Sequence, residues 1–340
     1  MRTFCILFFF CLSGQYLFSA FDVPQIGAKS VALSEGYCAV ADNVTAVYCN
    51  PGGLGQLRNN QLFLSFVSLY QGLDDYIYNG SINFSVYNIN VGTLAAAWYG
   101  LFTELYQENI IALSYGRDLF RTLLKYSQSE LYAGFSAKIL QKGYRENGYT
   151  RMDPVFEEGL SRLGVAMDAG MLFRINRKWQ TGLSFQNINR PDLGLKEKSR
   201  VPLVITGALA CDLAPWLKPG DGVSSSHWLD RLRLSLGARI REKEYRLSPG
   251  VEFSFLHIFD LCASYSMGEK QFQKFSAGLG FVRSYRYPSE IEKKRGGETY
   301  EVVEVEKRLV FNVNYSFAYY LNLAHQFTYG NHYIELGVQF

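Results

Sequence analysis

Apolar and polar side chains that alternate for ten residues at a time suit only an extended strand with two unlike faces, and this pattern recurs along most of the chain. Leu163, Val165, Met167, Ala169, Met171 and Phe173 share one face, opposite Gly164, Ala166, Asp168, Gly170 and Arg174. Leu232, Leu234, Leu236, Ala238 and Ile240 oppose Arg231, Arg233, Ser235, Gly237 and Arg239. At the end of the chain Ile334, Leu336, Val338 and Phe340 oppose Glu335, Gly337 and Gln339. About fourteen such segments can be read, with boundaries that drift by a few residues. They start near Leu62, Tyr78, Asn90, Glu108, Glu130, Arg162, Lys178, Pro202, Arg231, Tyr245, Asp260, Lys274, Arg308 and His332.

Soluble sandwiches alternate too, so length and composition have to decide. Many segments run roughly nine to twelve residues, the length of a tilted strand crossing a bilayer rather than the five or six of a soluble sheet. The chain is 48% apolar, which excludes a disordered polymer. After the first twenty residues no run of about 18 apolar residues occurs, which excludes a membrane protein made of helices. Tyrosine and phenylalanine number 24 and 25, enough for two interfacial girdles. Tyr70, Tyr99, Tyr115, Tyr265, Tyr285 and Tyr329 near segment ends are candidates for them. A net charge of +3 on 340 residues gives no concentrated basic face, so a nucleic-acid partner is not expected. The expected fold class is all-β: a transmembrane antiparallel β-barrel of about 14 strands with an N-terminal plug in its lumen.

Three regions follow. Residues 1–20 read as an export signal, with Arg2 before an apolar core from Phe4 to Leu12 and small residues at Ser19 and Ala20. Residues 21–60 lack alternation and contain the run Asn50-Pro51-Gly52-Gly53-Leu54-Gly55, a cluster of turn formers. The apolar residues Val40, Ala41, Val47 and Tyr48 of this region need burial, and a barrel of this size is too wide for its own side chains to fill. A luminal plug is the physical expectation. Residues 61–340 form the barrel. Cys38, Cys49, Cys211 and Cys262 remain after export into an oxidising compartment; Cys38 and Cys49 could pair, or all four could be plain small residues.

No catalytic constellation is evident. His227, His257, His325 and His332 have no metal-ligand spacing, and neither a nucleophile elbow nor a phosphate loop occurs, so no metal and no cofactor are expected. Ser316 and His332 lie on strands that could pair, an arrangement that chance also produces. Arg231, Arg233 and Arg239, with Glu130, Lys138, Asp168 and Glu252, fall on polar faces and should line the lumen. They could guide a carboxylate headgroup, or simply neutralise one another. The mixed-charge run Glu290 to Lys307 reads as a solvated loop with room for a short hairpin at Glu301 to Val305. Asp212 to Asp230 reads as a second long loop.

The run Ala39-Val40-Ala41-Asp42-Asn43-Val44-Thr45-Ala46-Val47-Tyr48-Cys49-Asn50-Pro51-Gly52-Gly53-Leu54, entered through Gly27-Ala28-Lys29-Ser30, resembles the N-terminal hatch of the FadL-like outer-membrane barrels, and within them the PorV/PorQ branch. Gly52 stands where that hatch has alanine, Cys49 where it has a large aromatic, and Asn43 where it has a second acidic residue. The resemblance implies a location in the outer membrane of a diderm bacterium and passive uptake of hydrophobic molecules such as long-chain fatty acids. Asn50, Pro51 and Gly52 would be the gating hatch. Its PorV side implies instead a barrel that binds secreted proteins in a secretion or assembly system. Besides a hydrophobic or lipid ligand, the implied partners are outer-membrane lipids and the barrel-insertion machinery, for which Phe340 would be the terminal signal.

Overall fold

The computed structural model describes residues 21, 25–72, 77–120, 129–148, 150–175, 178–217, 229–295, 299–321 and 328–340; the export signal expected at residues 1–20 lies outside them. The wall is a single sheet of fourteen strands: β1 (Gln61–Leu69), β2 (Ile77–Asn88), β3 (Gly92–Phe102), β4 (Tyr106–Asp118), β5 (Ser129–Tyr144), β6 (Ser161–Ile175), β7 (Trp179–Gln186), β8 (Val204–Asp212), β9 (Leu229–Arg241), β10 (Glu244–Phe255), β11 (Phe259–Gly268), β12 (Gln273–Arg295), β13 (Thr299–Tyr320) and β14 (Asn331–Gln339). Each pairs antiparallel with its sequence neighbours, and β1 closes on β14 from Gln61↔Gln339 to Ser68↔His332. Closure leaves no edge in the wall, which is what a bilayer demands of a sheet. Most expected starts lie within two residues of the observed ones, as with Lys178 against Trp179.

The alternation sorts inside from outside as the sequence requires. On β1, Leu62, Leu64 and Phe66 are exposed, while Gln61, Phe63, Ser65 and Val67 are buried against the lumen. On β6, Leu163, Val165, Met167 and Met171 are exposed and Ala166, Asp168 and Leu172 buried. An exposed apolar face on every strand is a destabilising surface in water and the right one in lipid.

Three expectations are corrected. Tyr99 is not part of an outer girdle: it is 1% exposed and packs inside with Ile110, Leu140 and Leu193. Ser316 is buried on the luminal face, whereas the His332 ring turns toward the outward Tyr315, whose hydroxyl lies 2.7 Å from Nδ1, so the two never meet. The run Glu290 to Lys307 is not a loop. β12 and β13 stay in register from Lys274↔Tyr320 to Arg295↔Thr299, while their other neighbours stop at Phe259↔Phe281 and Val310↔Gln339. The hairpin therefore runs on alone past the barrel rim for about 40 Å, at about 3.4 Å per residue. Of the second expected loop, Ala214–Leu217 forms a single helical turn, and the rest lies largely outside the described residues.

The lumen is filled by the segment ahead of β1. Helix α1 (Ala28–Leu33) and the single turn α2 (Tyr37–Val40) are followed by two 3₁₀ segments, Val44–Tyr48 and Pro51–Gln56. Val40, Ala41, Val44, Val47 and Leu54 are at most 1% exposed and join luminal Phe63, Ala97 and Leu172 in one cluster. The plug, rather than the wall, supplies the molecule's core.

Candidate functional site

Two cavities flank the plug's last turn. One, of about 70 Å³, lies in the half of the lumen far from Phe340 and is bounded by Phe21, Ile26, Tyr48, Ile110, Leu140 and Val204. Lys138, Arg239 and Glu35 add polar groups to it. The connection from β7 to β8 covers it, with Leu193 fully buried beside Ile110 and Leu140. The other, of about 350 Å³, opens at the end near Phe340 between Gly55, Arg58, Tyr87, Gly92 and Arg117. The segment Asn50–Gln56 separates them.

Asn50 organises that segment. Its backbone is extended (φ −146°), as the following proline requires, and its Oδ1 accepts the Gly52 N–H at 3.0 Å. Its Nδ2 donates to the Cys38 carbonyl at 2.8 Å and to the Met171 carbonyl of β6 at 3.0 Å. One buried amide thus ties the turn to the rest of the plug and to the wall. The turn then lies directly on wall backbone. Gly116 pairs with Gly134, and Gly134 with Gly170, giving a row of three luminal glycines across β4, β5 and β6. A Cβ at Gly134 would run into the Pro51 carbonyl, and one at Gly170 into the Asn50 side chain. Gly52 faces the same constraint: its Cβ would lie 2.8 Å from the Gly170 carbonyl carbon, which explains glycine in place of the hatch alanine. Cys49 lines the far cavity, so the small thiol leaves room that an aromatic ring would fill.

Charge holds the rest of the plug. Lys29 on α1 contacts Asp42 Oδ2 at 2.6 Å and Glu252 Oε1 at 2.8 Å. Glu252, with no exposed surface, also receives Arg231 at 3.0 Å and Arg233 at 2.9 Å. Burial opposes the charge on Lys29, but Asp42 and Glu252 outweigh it and hold its pKa well above the ordinary lysine value. Glu35, also in the plug, accepts a hydrogen bond from the Ser248 hydroxyl of β10. Burial alone would raise its pKa, yet Lys274, that hydrogen bond, Arg239 and Arg246 together lower it below the ordinary carboxylate value. Asp168 pairs with Lys138 at 2.7 Å and accepts the Asn187 N–H at 2.8 Å.

Of the charges expected in the lumen, Arg231, Arg233 and Glu252 come together, and mutual neutralisation describes them. Asp168 belongs to a second pair, and Arg239 borders the far cavity instead. Lys29 and Glu35 were missed as site residues. Lys138 stands on the polar face of its strand, but nothing in the local sequence reveals its partner 30 residues away.

No family model matches the chain, and no curated protein matches it in sequence. Solved structures do match. The toluene transporter TbuX of Ralstonia pickettii aligns with 94% of this chain and 99% of its own at a TM-score of 0.53 and 9% identity. The fold is FadL-like. A FadL homologue from Pseudomonas aeruginosa aligns with 94% and 98% at a TM-score of 0.51 and 10% identity. The monoaromatic hydrocarbon channel CymD gives 94% and 97%, 0.52 and 8%. At such identities the likeness speaks for the FadL-like architecture, a fourteen-stranded barrel of the outer-membrane type with a helical segment ahead of its first strand.

Proposed function

We propose that this FadL-like barrel passes small hydrophobic molecules across the outer membrane by diffusion, with Asn50–Gln56 as the gate. The observation that carries the reading is the pair of cavities on either side of that turn: one of mixed apolar and polar lining in the far half of the lumen and an open polar one at the near mouth. With the mouth beside Phe340 taken as periplasmic, the far cavity faces outward. A hydrophobic molecule would leave water for the far cavity and move on only when the turn lifts from the glycines of β4–β6. The hydrophobic ligands of TbuX and CymD support the same direction, and a fatty acid adds a carboxylate that Lys138 and Arg239 could meet.

Mass spectrometry of small molecules released on denaturing the detergent-purified protein tests this. One hydrophobic compound is expected with the parent, and much less with Ile110→Asp, which puts a charge on the cavity wall. A folded barrel that carries no such compound from cells supplied with hydrocarbons and fatty acids would count against the reading.

The long β12–β13 hairpin favours a second reading, a PorV-like barrel that binds proteins. A two-stranded ribbon standing alone in water is marginal, and both of its outer edges offer unpaired backbone groups to another chain.

A further inference from the structure

Two of the exported chain's four cysteines lie in the plug, eleven residues apart in sequence. Cys38 sits on α2 with no exposed surface, and Cys49 ends the 3₁₀ segment Val44–Tyr48, half-buried. The turn at Ala41, with φ at 35°, folds these pieces back on each other. Both are free thiols in the structure; Cys49 packs against the cluster that contains Cys38, and the Nδ2 of its neighbour Asn50 lies 3.6 Å from the Cys38 Sγ. Cys211 and Cys262 stand apart on β8 and β11.

We propose that Cys38 and Cys49 are a cross-linking site: in the oxidising periplasm they form a disulfide that staples the plug into one body beside the gate. The oxidant is a disulfide carried by a periplasmic thiol-oxidising protein. The thiolate of one cysteine attacks that disulfide, forms a mixed disulfide and releases one thiol. The second thiolate attacks the plug sulfur of the mixed bond and releases the other thiol. The plug pair loses two protons and two electrons, and the oxidant's disulfide becomes a dithiol.

The order of events follows from burial. In the finished barrel the neighbouring Cys49, together with burial, pushes the Cys38 thiol well above its ordinary pKa, so it is inert there. Oxidation therefore belongs to the exported chain before insertion, when both thiols are open to a protein oxidant and the loop between them is short. The product is placed to matter. The Cys38 carbonyl holds the Asn50 amide, and Cys49 adjoins Asn50 while lining the far cavity. A bond between the two cysteines fixes both supports of the gate turn, so that the turn moves with the plug or not at all. This inference needs the export and insertion of the barrel, not the uptake of any ligand.

The test uses the full chain, exported and purified as a heat-modifiable barrel in detergent. It is denatured without reductant, treated with iodoacetamide, digested and read by mass spectrometry. Expected is a cross-linked peptide pair joining Cys38 to Cys49, lighter by two hydrogens than the sum of its parts, with Cys211 and Cys262 alkylated. In a strain lacking periplasmic thiol oxidation the same two cysteines should be alkylated instead. Limited proteolysis gives a second measure. Reductant should open cleavage between residues 38 and 49 in the parent, while Cys49→Ser should show that cleavage with or without reductant. Full alkylation of all four cysteines in folded protein from oxidising cells would overturn the proposal, as would a bond between any other pair.

Discussion

Glu252 draws cations from two directions: Lys29 from the plug, and Arg231 and Arg233 from the neighbouring strand. Buried ion pairs add little net stability compared with apolar packing, but removing one member strands the others. Glu252→Ala should therefore lower barrel stability by about 3–5 kcal/mol, read as a drop in the temperature at which the folded gel band disappears. Glu35 predicts a pH effect. Its carboxyl titrates lower in the fold than its ordinary value of 4.5, so it stabilises plug seating above that pH, and the contribution is lost as pH falls through the lowered value. Protease resistance of the plug should decline as pH falls below the ordinary value of 4.5, and less steeply in Glu35→Gln. An equal decline in both would assign the acid sensitivity to other groups. The pairing at Glu252 was half legible: Arg231 and Arg233 announced a charged luminal face, but their meeting with Lys29 depends on a contact more than 200 residues distant. Gly134 and Gly170 were hidden for another reason. In an alternating strand a glycine reads as an inert member of the polar face, and only the plug's position reveals that no larger side chain fits.

At the scale of elements, the strands were legible wherever lipid touches them, because a lipid-facing strand has to carry an apolar residue at every second position. β6 and β9 show the rule at its clearest. The extension of β12 and β13 pairs with no other strand, and its mixed-charge sequence lacks the alternation and resembles a loop. The plug was placed from the absence of alternation and from turn formers at Asn50-Pro51-Gly52, although its helices were not read. Since the wall's last pairs, Phe259↔Phe281 and Val310↔Gln339, lie short of the extension, the hairpin should be dispensable to the barrel. Joining Tyr285 to Leu309 through an Asn-Gly turn should leave heat-modifiable mobility intact and change stability by less than about 0.5 kcal/mol. A large loss of folded barrel would show that the hairpin supports the wall. Loss of a co-purifying periplasmic protein with the barrel intact would favour the protein-binding reading.

On the scale of the whole molecule, the closed wall and the plug have separate sources of stability. The wall satisfies its own backbone hydrogen bonds around the ring, while the plug is held by glycine contacts, the Asn50 amide and the Glu252 ion network. A shift of the plug turn would therefore leave the sheet closed, which is the physical condition for the proposed gate. Export, barrel and plug could be argued from the sequence, because each is a pattern of local chemistry. The two cavities could not, since they are spaces left between segments distant in the chain. The central claim is that hydrophobic molecules pass this gate, and it is tested most directly by uptake of labelled toluene and oleate into cells that lack their own route and express either the parent or the Asn50→Ala, Pro51→Ala double variant. The account predicts uptake above background of at least one of the two by the parent and a changed rate in the variant, with heat-modifiable mobility preserved in both; identical uptake by parent and variant, or none by a correctly folded parent, would contradict it.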